Sequence, residues 1–591
     1  MTSDAILSSL PVQPAQGATE VVKQPRVWPA VVLVGLYWAY GLIMAWLETG
    51  MFAQFLSLLA AIGLLLLLFA VWWLTNRRIR FLDRLSVFAA AVVAGVLAVF
   101  TQPASGRFPW LLQSLPWVLT IWAVGLVALR KASGPARRRG LLAAVLLSWG
   151  AFALFRVDGL QGDGQPVLRG RWSMTAEERY LAERVKNGGA RSVTPTSADS
   201  LTLRPGDWPG FRGADREGVA AEVRIAADWS TNPPKQLWHR RIGPGWSSMA
   251  VVDGRLFTQE QRGSVEAVVC LDAGTGREIW AHEDAARFED GQAGAGPRAT
   301  PTFADGRVYA LGATGILNCL DASTGERKWW HDIAAESGAQ RPIWGFSSSP
   351  LVIEGVVIVF AGGDGDKGLL AYRADSGEPA WTVPAGQNSY SSPHRVQIEG
   401  TEMVLFVGER GLTAIDPVSG VVLWENRITT KKGMGQCLQP HPLGMAQVLV
   451  TSESGGIVRI DVKHDGSSWA PSQGWTSRAL KPTFNDFVIH KQSIYGFDGS
   501  IFCCVDAATG RRRWKEGRYG NGQVLLLADQ ALLLVVSEKG AVILLAADPE
   551  EHKELGRFQA IEGKTWNHPA IAQGRLYVRN GEEIACYLLT P

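Results

Sequence analysis

A nine-residue pattern running from Asp through Thr-Gly to Trp recurs along this 591-residue chain and limits its fold more than any other feature. Its clearest form is Asp321-Ala322-Ser323-Thr324-Gly325 ending in Trp329, with copies from Asp272 to Trp280, Asp416 to Trp424 and Asp506 to Trp514. Two copies are degraded. Arg373 replaces the Asp ahead of Gly377 and Trp381, and Asp461 with Trp469 keeps the spacing but loses Thr-Gly. Trp238 opens the series and Phe558 fills the Trp position near its end, giving eight markers about 42 to 52 residues apart. That is the period of propeller blades, not of helical solenoids.

One repeat explains itself physically. The apolar run Val265 to Leu271 stops at Asp272, whose carboxylate suits turn amides, and Gly276 supplies a positive φ. The following run ends in Trp, a flat side chain too large for one small sheet to bury, so it must pack on the next sheet. Two further strand-like runs precede each marker, as in Ser348 to Ile353 and Val356 to Phe360. Four strands per repeat and eight repeats predict an all-β eight-bladed propeller. After Phe558 only three strands remain, so Lys235 to Ile242 must supply the last blade's fourth strand and leave no open edge.

The net charge of +3 carries no nucleic-acid footprint. Residues 1–25 are polar, read as disordered and show no signal-peptide cleavage pattern. Residues 26–157 read as an α-helical membrane domain of about five transmembrane helices: Trp28 to Leu47, Phe52 to Leu74, Leu85 to Thr101, Trp110 to Leu129 and Leu141 to Phe155. The fifth segment is marginal in length. Trp28, Trp46, Trp72, Trp73, Trp110 and Trp149 stand near their ends, as interfacial anchors would. Basic residues gather before the first segment (Lys23, Arg26), after the second (Arg77, Arg78, Arg80, Arg84) and after the fourth (Arg130, Lys131, Arg137, Arg138, Arg139). With these loops cytoplasmic, five crossings place the propeller in the periplasm of a bacterial cell, beyond the inner membrane. The segments hold no buried charge, Glu48 lying at a boundary, so an anchor is favoured over a pump.

Residues 158–206 read as a linker. Thr175 and Glu178 form a capping box, Ala176 to Lys186 a short amphipathic helix suited to a membrane surface, and Arg191 to Pro205 a flexible stretch. The propeller occupies 207–591. Its Asp turns lie on one face of the ring, so the connections between blades lie on the other, around the channel mouth. They hold Trp246, Arg298, Phe346, Tyr390, Gln439, Asn485, Asp486, Gln523, Lys564, Trp566, Asn567 and His568, the ligand-binding candidates. Middle hairpins add Glu260, Glu409, Glu453, Asp498, Glu538 and Glu582. Planar walls with a few polar groups suit a flat aromatic ligand or a peptide. The same residue types also serve ordinary turns. Asp364 to Gly368 lacks a calcium-loop ligand ladder and reads as a hairpin, and no metal ligand is assigned.

The Asp-Ala-x-Thr-Gly-x-x-x-Trp pattern resembles the tryptophan-docking repeat of pyrroloquinoline-quinone (PQQ) type β-propellers. That superfamily contains quinoprotein alcohol and glucose dehydrogenases and the non-catalytic outer-membrane assembly lipoprotein BamB. The resemblance implies fold, not activity. Asp207-Trp208-Pro209-Gly210-Phe211-Arg212-Gly213, Phe484 to Phe487, Gly517 to Gly520 and Gly563 to Pro569 resemble segments of PQQ-like repeat proteins of planctomycetes and acidobacteria. Five spans ahead of a propeller resemble membrane-bound quinoprotein glucose dehydrogenase. That likeness implies PQQ and calcium as cofactors, Asp486 as catalytic base and Trp246 or Trp566 stacked on the quinone. Some quinoprotein alcohol dehydrogenases also bridge adjacent cysteines, but strand alternation turns Cys503 and Cys504 to opposite faces. About 44 residues per blade leave little for the insertions that build a cofactor floor in catalytic relatives. A membrane-tethered binding or scaffold propeller is therefore favoured, with the inner membrane and an envelope protein or small ligand as partners. A membrane-bound quinoprotein dehydrogenase is the alternative.

Overall fold

The structure, a computed structural model, describes residues 24–46, 51–103, 106–161, 166–186, 201–428, 436–452 and 456–590. Residues 1–23, Glu48, Glu453, Asn187-Gly188-Gly189 and the stretch 191–200 lie outside it, as does the side chain of Trp46. Two compact units result, one of residues 1–47, 56–103 and 110–154, the other of 48–55, 104–109 and 155–591.

The first unit holds five helices, α1 (Trp28–Trp46), α2 (Met51–Thr75), α3 (Phe81–Phe100), α4 (Arg107–Ala128) and α5 (Gly134–Ala153). Three of them, over Phe55–Thr75, Phe81–Phe100 and Arg107–Ala128, are long and apolar enough to cross a membrane. They supply a candidate membrane anchor. Of the five expected spans these three meet the length and composition of a crossing helix over the described residues; the described part of α1 is apolar over Trp28–Met44, and α5 begins with Arg137, Arg138 and Arg139 in its first turns. Several of the tryptophans read as interfacial anchors are packed between helices. Trp73, Trp110 and Trp149 are buried; Trp110 stacks on Trp149 at 5.8 Å and Trp73 donates to Arg84 O at 2.9 Å. An indole with a backbone acceptor within reach is as stable between helices as at a headgroup.

The second unit contains eight four-stranded antiparallel sheets in chain order, blades 1 to 8. Blades 1 to 7 span 250–284, 302–332, 351–383, 394–426, 441–477, 488–518 and 523–559. Blade 8 combines three strands between Ala570 and Leu588 with Lys235–Arg241, which pairs antiparallel with Glu583–Leu588 and closes the ring. Val219–Ala220 adds a fifth, parallel strand to blade 7.

The repeat seals the blades as its composition requires. Asp272 Oδ1 accepts from Thr275 N and Thr275 Oγ1 at 2.8 and 2.7 Å, closing the turn. A register shift after Cys270 then leans Trp280 toward the next blade, where its indole donates to Ala322 O at 3.0 Å. Trp238, Trp329, Trp381, Trp475 and Trp514 make the same bond to the turn of the following blade. Cys270, Cys319 and Cys504 are fully buried, and each faces its blade's Trp across the strand pair. All six cysteines are free.

Two markers fall elsewhere than the spacing predicts. In blade 5 the docking residue is Trp475, not Trp469. Its third strand, Ile457–His464, runs three residues past Asp461, which moves the turn to Asp465–Ser468. Trp469 stacks on His464 at 4.1 Å instead. In blade 7 the docking register is held by Gly556, opposite Leu544, not by Phe558. Blade 8 has no Asp turn at that corner, since two distant parts of the chain meet there, and Trp229 fills the space above Gly556.

The expected linker is built onto the propeller. Strands β1 (Phe155–Leu160) and β2 (Pro166–Gly170) form a hairpin that the sequence reading missed. The capping box opens α6 (Ala176–Lys186): Glu178 N donates to Thr175 Oγ1 at 3.0 Å and Thr175 N to Glu178 Oε2 at 2.7 Å. Its buried Tyr180 donates to Glu260, and Arg184 pairs with Glu278 at 2.7 Å. Glu260 and Glu278 in turn hold the buried Arg262, so α6 is fastened to blade 1 by a desolvated ionic network.

Candidate functional site

The lead-in segment 205–220, legible only as a family resemblance, enters the central channel and bonds to every blade. Trp208 exchanges backbone bonds with Val251 of blade 1, and Phe303 N of blade 2 donates to Pro209 O at 2.8 Å. Arg216 donates to Pro350 O and Ser349 O beside blade 3 at 2.9 and 3.1 Å. His394 of blade 4 meets Asp215 O at 2.9 Å, and Gln439 beside blade 5 donates to Arg216 O. Arg212 donates to Phe487 O of blade 6 at 2.7 Å, Val219 pairs with Leu526 of blade 7, and Phe211 packs edge-on against His568 beside blade 8 at 5.1 Å. The turn is sharp enough that Arg212 and Arg216 take φ of 61° and 60°. At Gly218, φ 71°, a Cβ would lie 2.8 Å from the Arg212 guanidinium.

This plug fixes the ionisable candidates. Asp486 is buried, with Arg212 Nε at 3.3 Å and His441 Nε2 at 2.7 Å. Burial favours its neutral form, but Arg212 and then His441 outweigh that and hold the carboxyl well below its ordinary range. Burial pushes His568 down to about 3 and Arg216 down to about 9. Asn485 accepts from Thr483 N at 3.0 Å, and Asn567 donates to Ser247 O at 2.8 Å.

Above the plug lies an aromatic cluster. Trp246 and Trp566 stand 5.1 Å apart, and Phe484 is 4.8 Å from Trp566. Lys564 sits over both indoles at 5.0 and 4.4 Å while donating to Leu160 O and Gln292 O at 2.9 and 3.2 Å. Burial lowers its pKa to about 8. Trp566 donates to Glu538 at 2.8 Å and its carbonyl accepts from Gln523 at 2.9 Å. β1 thus lies over the mouth, tied also by Leu160 N to Gln292 O at 3.0 Å. Beside it, Trp344 and Tyr390 lie 4.9 Å apart with their rings tilted at 40°, and the side chain of Arg298, largely buried, pairs with Asp290.

The sequence-derived set therefore divides. Trp246, Gln523, Lys564 and Trp566 converge at the mouth; Gln439, Asp486 and His568 meet the plug; Arg298 and Tyr390 form a third group. Phe346 is in none of these. Gly345, at φ 67°, turns the chain so that this ring drops into the core between blades 2 and 3. Arg212, Arg216 and Phe484 were missed, their only signal being the aromatic and Gly-rich segments that carry them.

The PQQ expectation is a question of fit. A quinone needs a planar slot, yet Trp246 and Trp566 touch each other and Lys564 covers both. A cation site beside it needs carboxylates, yet Asp486 is paired with Arg212, and among the described residues no group of three His, Cys, Asp or Glu side chains is arranged to hold a metal ion. The residues do not fit the group as arranged.

The family model for the outer membrane protein assembly factor BamB matches residues 226–332 and 264–516. The chain is 24% identical over 303 residues to BamB of Burkholderia pseudomallei, covering 48% of this chain and 69% of that protein. Among solved structures it is similar to BamB from Moraxella catarrhalis, at TM-score 0.44 and 15% identity over 60% of this chain and 99% of that one. It is also similar to a quinohemoprotein alcohol dehydrogenase from Pseudomonas putida, at TM-score 0.39 and 14% identity over 66% and 83%. With its repeat and eight closed sheets, the chain is an eight-bladed β-propeller with PQQ-like repeats. Its repeats are BamB-like in sequence.

Proposed function

We propose that this protein is a binding or scaffold module of the bacterial cell envelope, crossing the inner membrane five times and holding its propeller in the periplasm. The filled channel carries the reading. Space that a reaction chamber would need is taken by residues 205–220, and the carboxylate best placed for base catalysis, Asp486, is paired with Arg212. What remains for recognition is the rim, where Arg341, Ile343, Gln387 and Asn388 are exposed on successive inter-blade connections. An envelope protein or a small ligand is the partner such loops suit. Sequence similarity to an outer membrane protein assembly factor supports an envelope role, and the distribution of Lys and Arg supports the orientation.

The test is capture of crosslinked envelope partners by the detergent-purified chain. Combined Arg341→Glu, Ile343→Glu and Asn388→Arg should lower recovery about tenfold at an unchanged melting midpoint; equal recovery from both proteins removes the reading. The dehydrogenase alternative has its own assay. Adding PQQ and Ca²⁺ to the purified protein should give no bound quinone spectrum and no dye reduction with sugars or alcohols. A stoichiometric quinone spectrum with turnover would replace the scaffold reading.

A further inference from the structure

Residues 155–185 concentrate what the rest of the second unit spreads thinly. Of the twelve exposed large hydrophobic residues described beyond residue 154, five lie here: Phe155, Leu168, Trp172, Met174 and Val185. Trp172 is 75% exposed although its indole is among the most costly surfaces to leave in water. Scattered single apolar residues need no explanation, whereas a contiguous group does. Phe155 and Trp172 pair at 6.5 Å, and Gly170 lies beneath the Trp172 ring, where a Cβ would come within 2.8 Å. Next to this ledge a cleft is lined by Arg156, Arg171, Trp172, Ser173, Met174, Leu181 and Glu178, whose carboxylate is held by Thr175 N at 2.7 Å. It is a built feature: Arg156 bonds Asp158 at 2.7 Å and Ser173 O at 2.7 Å, bracing the chain on either side.

Position narrows the occupant. Phe155 follows the end of α5, at Ala153, by two residues, so no more than about 7 Å of chain separates the hairpin from the last helix of the first unit. Indole, thioether and guanidinium side chains mixed in this way match the layer where headgroup phosphates meet acyl chains. The hairpin is also rigidly seated on the mouth side of the propeller. Lys564 holds Leu160 O, Arg169 pairs with Glu582 at 3.1 Å, and Arg179 reaches the same carboxylate at 3.2 Å.

We propose that the β1–β2 hairpin and its cleft against α6 seat in the phospholipid headgroup layer. Arg171 faces a headgroup phosphate, Trp172 and Met174 enter the interface, and the mouth side of the propeller meets the lipid. Any ligand of the mouth then arrives along the membrane surface. This rests on reading the apolar helices as a membrane anchor.

The experiment places a nitroxide at Trp172→Cys, and separately at Met174→Cys, in the full chain reconstituted in phosphatidylcholine–phosphatidylglycerol vesicles. Cys437→Ser serves as background, since the other five cysteines are buried. Val418→Cys, exposed on an Asp turn, is the reference. The ratio of oxygen to water-soluble nickel collisions should be several-fold higher at 172 and 174 than at 418. Vesicle-bound protein with equal ratios at all three sites overturns the inference and leaves the anchor reading standing. Low collision with both reagents at 172 and 174 also overturns it, because a protein surface then covers the ledge. Failure to float with vesicles removes both readings.

Discussion

At Gly276, Gly325, Gly377, Gly420 and Gly510 one residue meets two demands. Each takes a positive φ, and each lies where a Cβ would come within 2.5 to 2.8 Å of the Trp ring from the preceding blade. The first demand is readable from the turn; the second exists only once two blades meet. Blade 5 shows the cost of reading spacing alone, because an extended hairpin moved docking to Trp475. Trp475→Ala should lower stability by about 2–4 kcal/mol and Trp469→Ala by less than about 1 kcal/mol, compared by shifts in the thermal midpoint. Glu266 was invisible in sequence for a similar reason. It is buried with Ala313 N at 3.1 Å as donor to Oε2 and no partner at Oε1, and burial raises its pKa from 4.5 to about 7. Its folded pKa is above its unfolded one, so its contribution is full below about pH 4.5 and is lost as pH rises through 7. Glu266→Gln should therefore gain on the wild type by up to about 1.4 kcal/mol per pH unit across that window. Parallel melting curves of the two proteins from pH 4.5 to 8 check it.

Strands and turns were largely legible as elements, because each repeat carries its own Asp, Gly and apolar alternation. The plug was not. Trp208 to Gly218 has no periodicity and is held by backbone bonds to blades far away in sequence, so local pattern says nothing of its destination. Arg212 and Asp486, buried together, tie it down electrostatically, and Arg212 also bonds Phe487 O, 275 residues along the chain. Arg212→Met should destabilise by about 3–5 kcal/mol, since it strands a buried carboxylate. Adding Asp486→Asn should restore part of that loss; thermal midpoints of the single and double variants give the coupling. The β1–β2 hairpin was missed for the opposite reason. Its strands are five and six residues long, at the limit of recognition, and they persist because Leu160, Arg169 and Arg156 are held from outside the pair.

For the whole molecule, ring closure joins Lys235–Arg241 to the last sheet, and the proposed orientation rests on the surplus of basic residues on alternate loops. If five helices cross, alkaline phosphatase fused after Thr590 should be active and β-galactosidase there inactive; the reverse pattern would leave an even number of crossings. The sequence by itself determined the number of blades, their strand count and how the ring shuts, because each depends on a short motif whose chemistry is complete within a few residues. Only the tertiary structure decided which Trp docks in blade 5, that Trp229 replaces one, that the channel is filled, and that Lys564 covers the two mouth indoles. Those outcomes depend on which distant surfaces compete for the same volume, and a linear pattern does not record that competition.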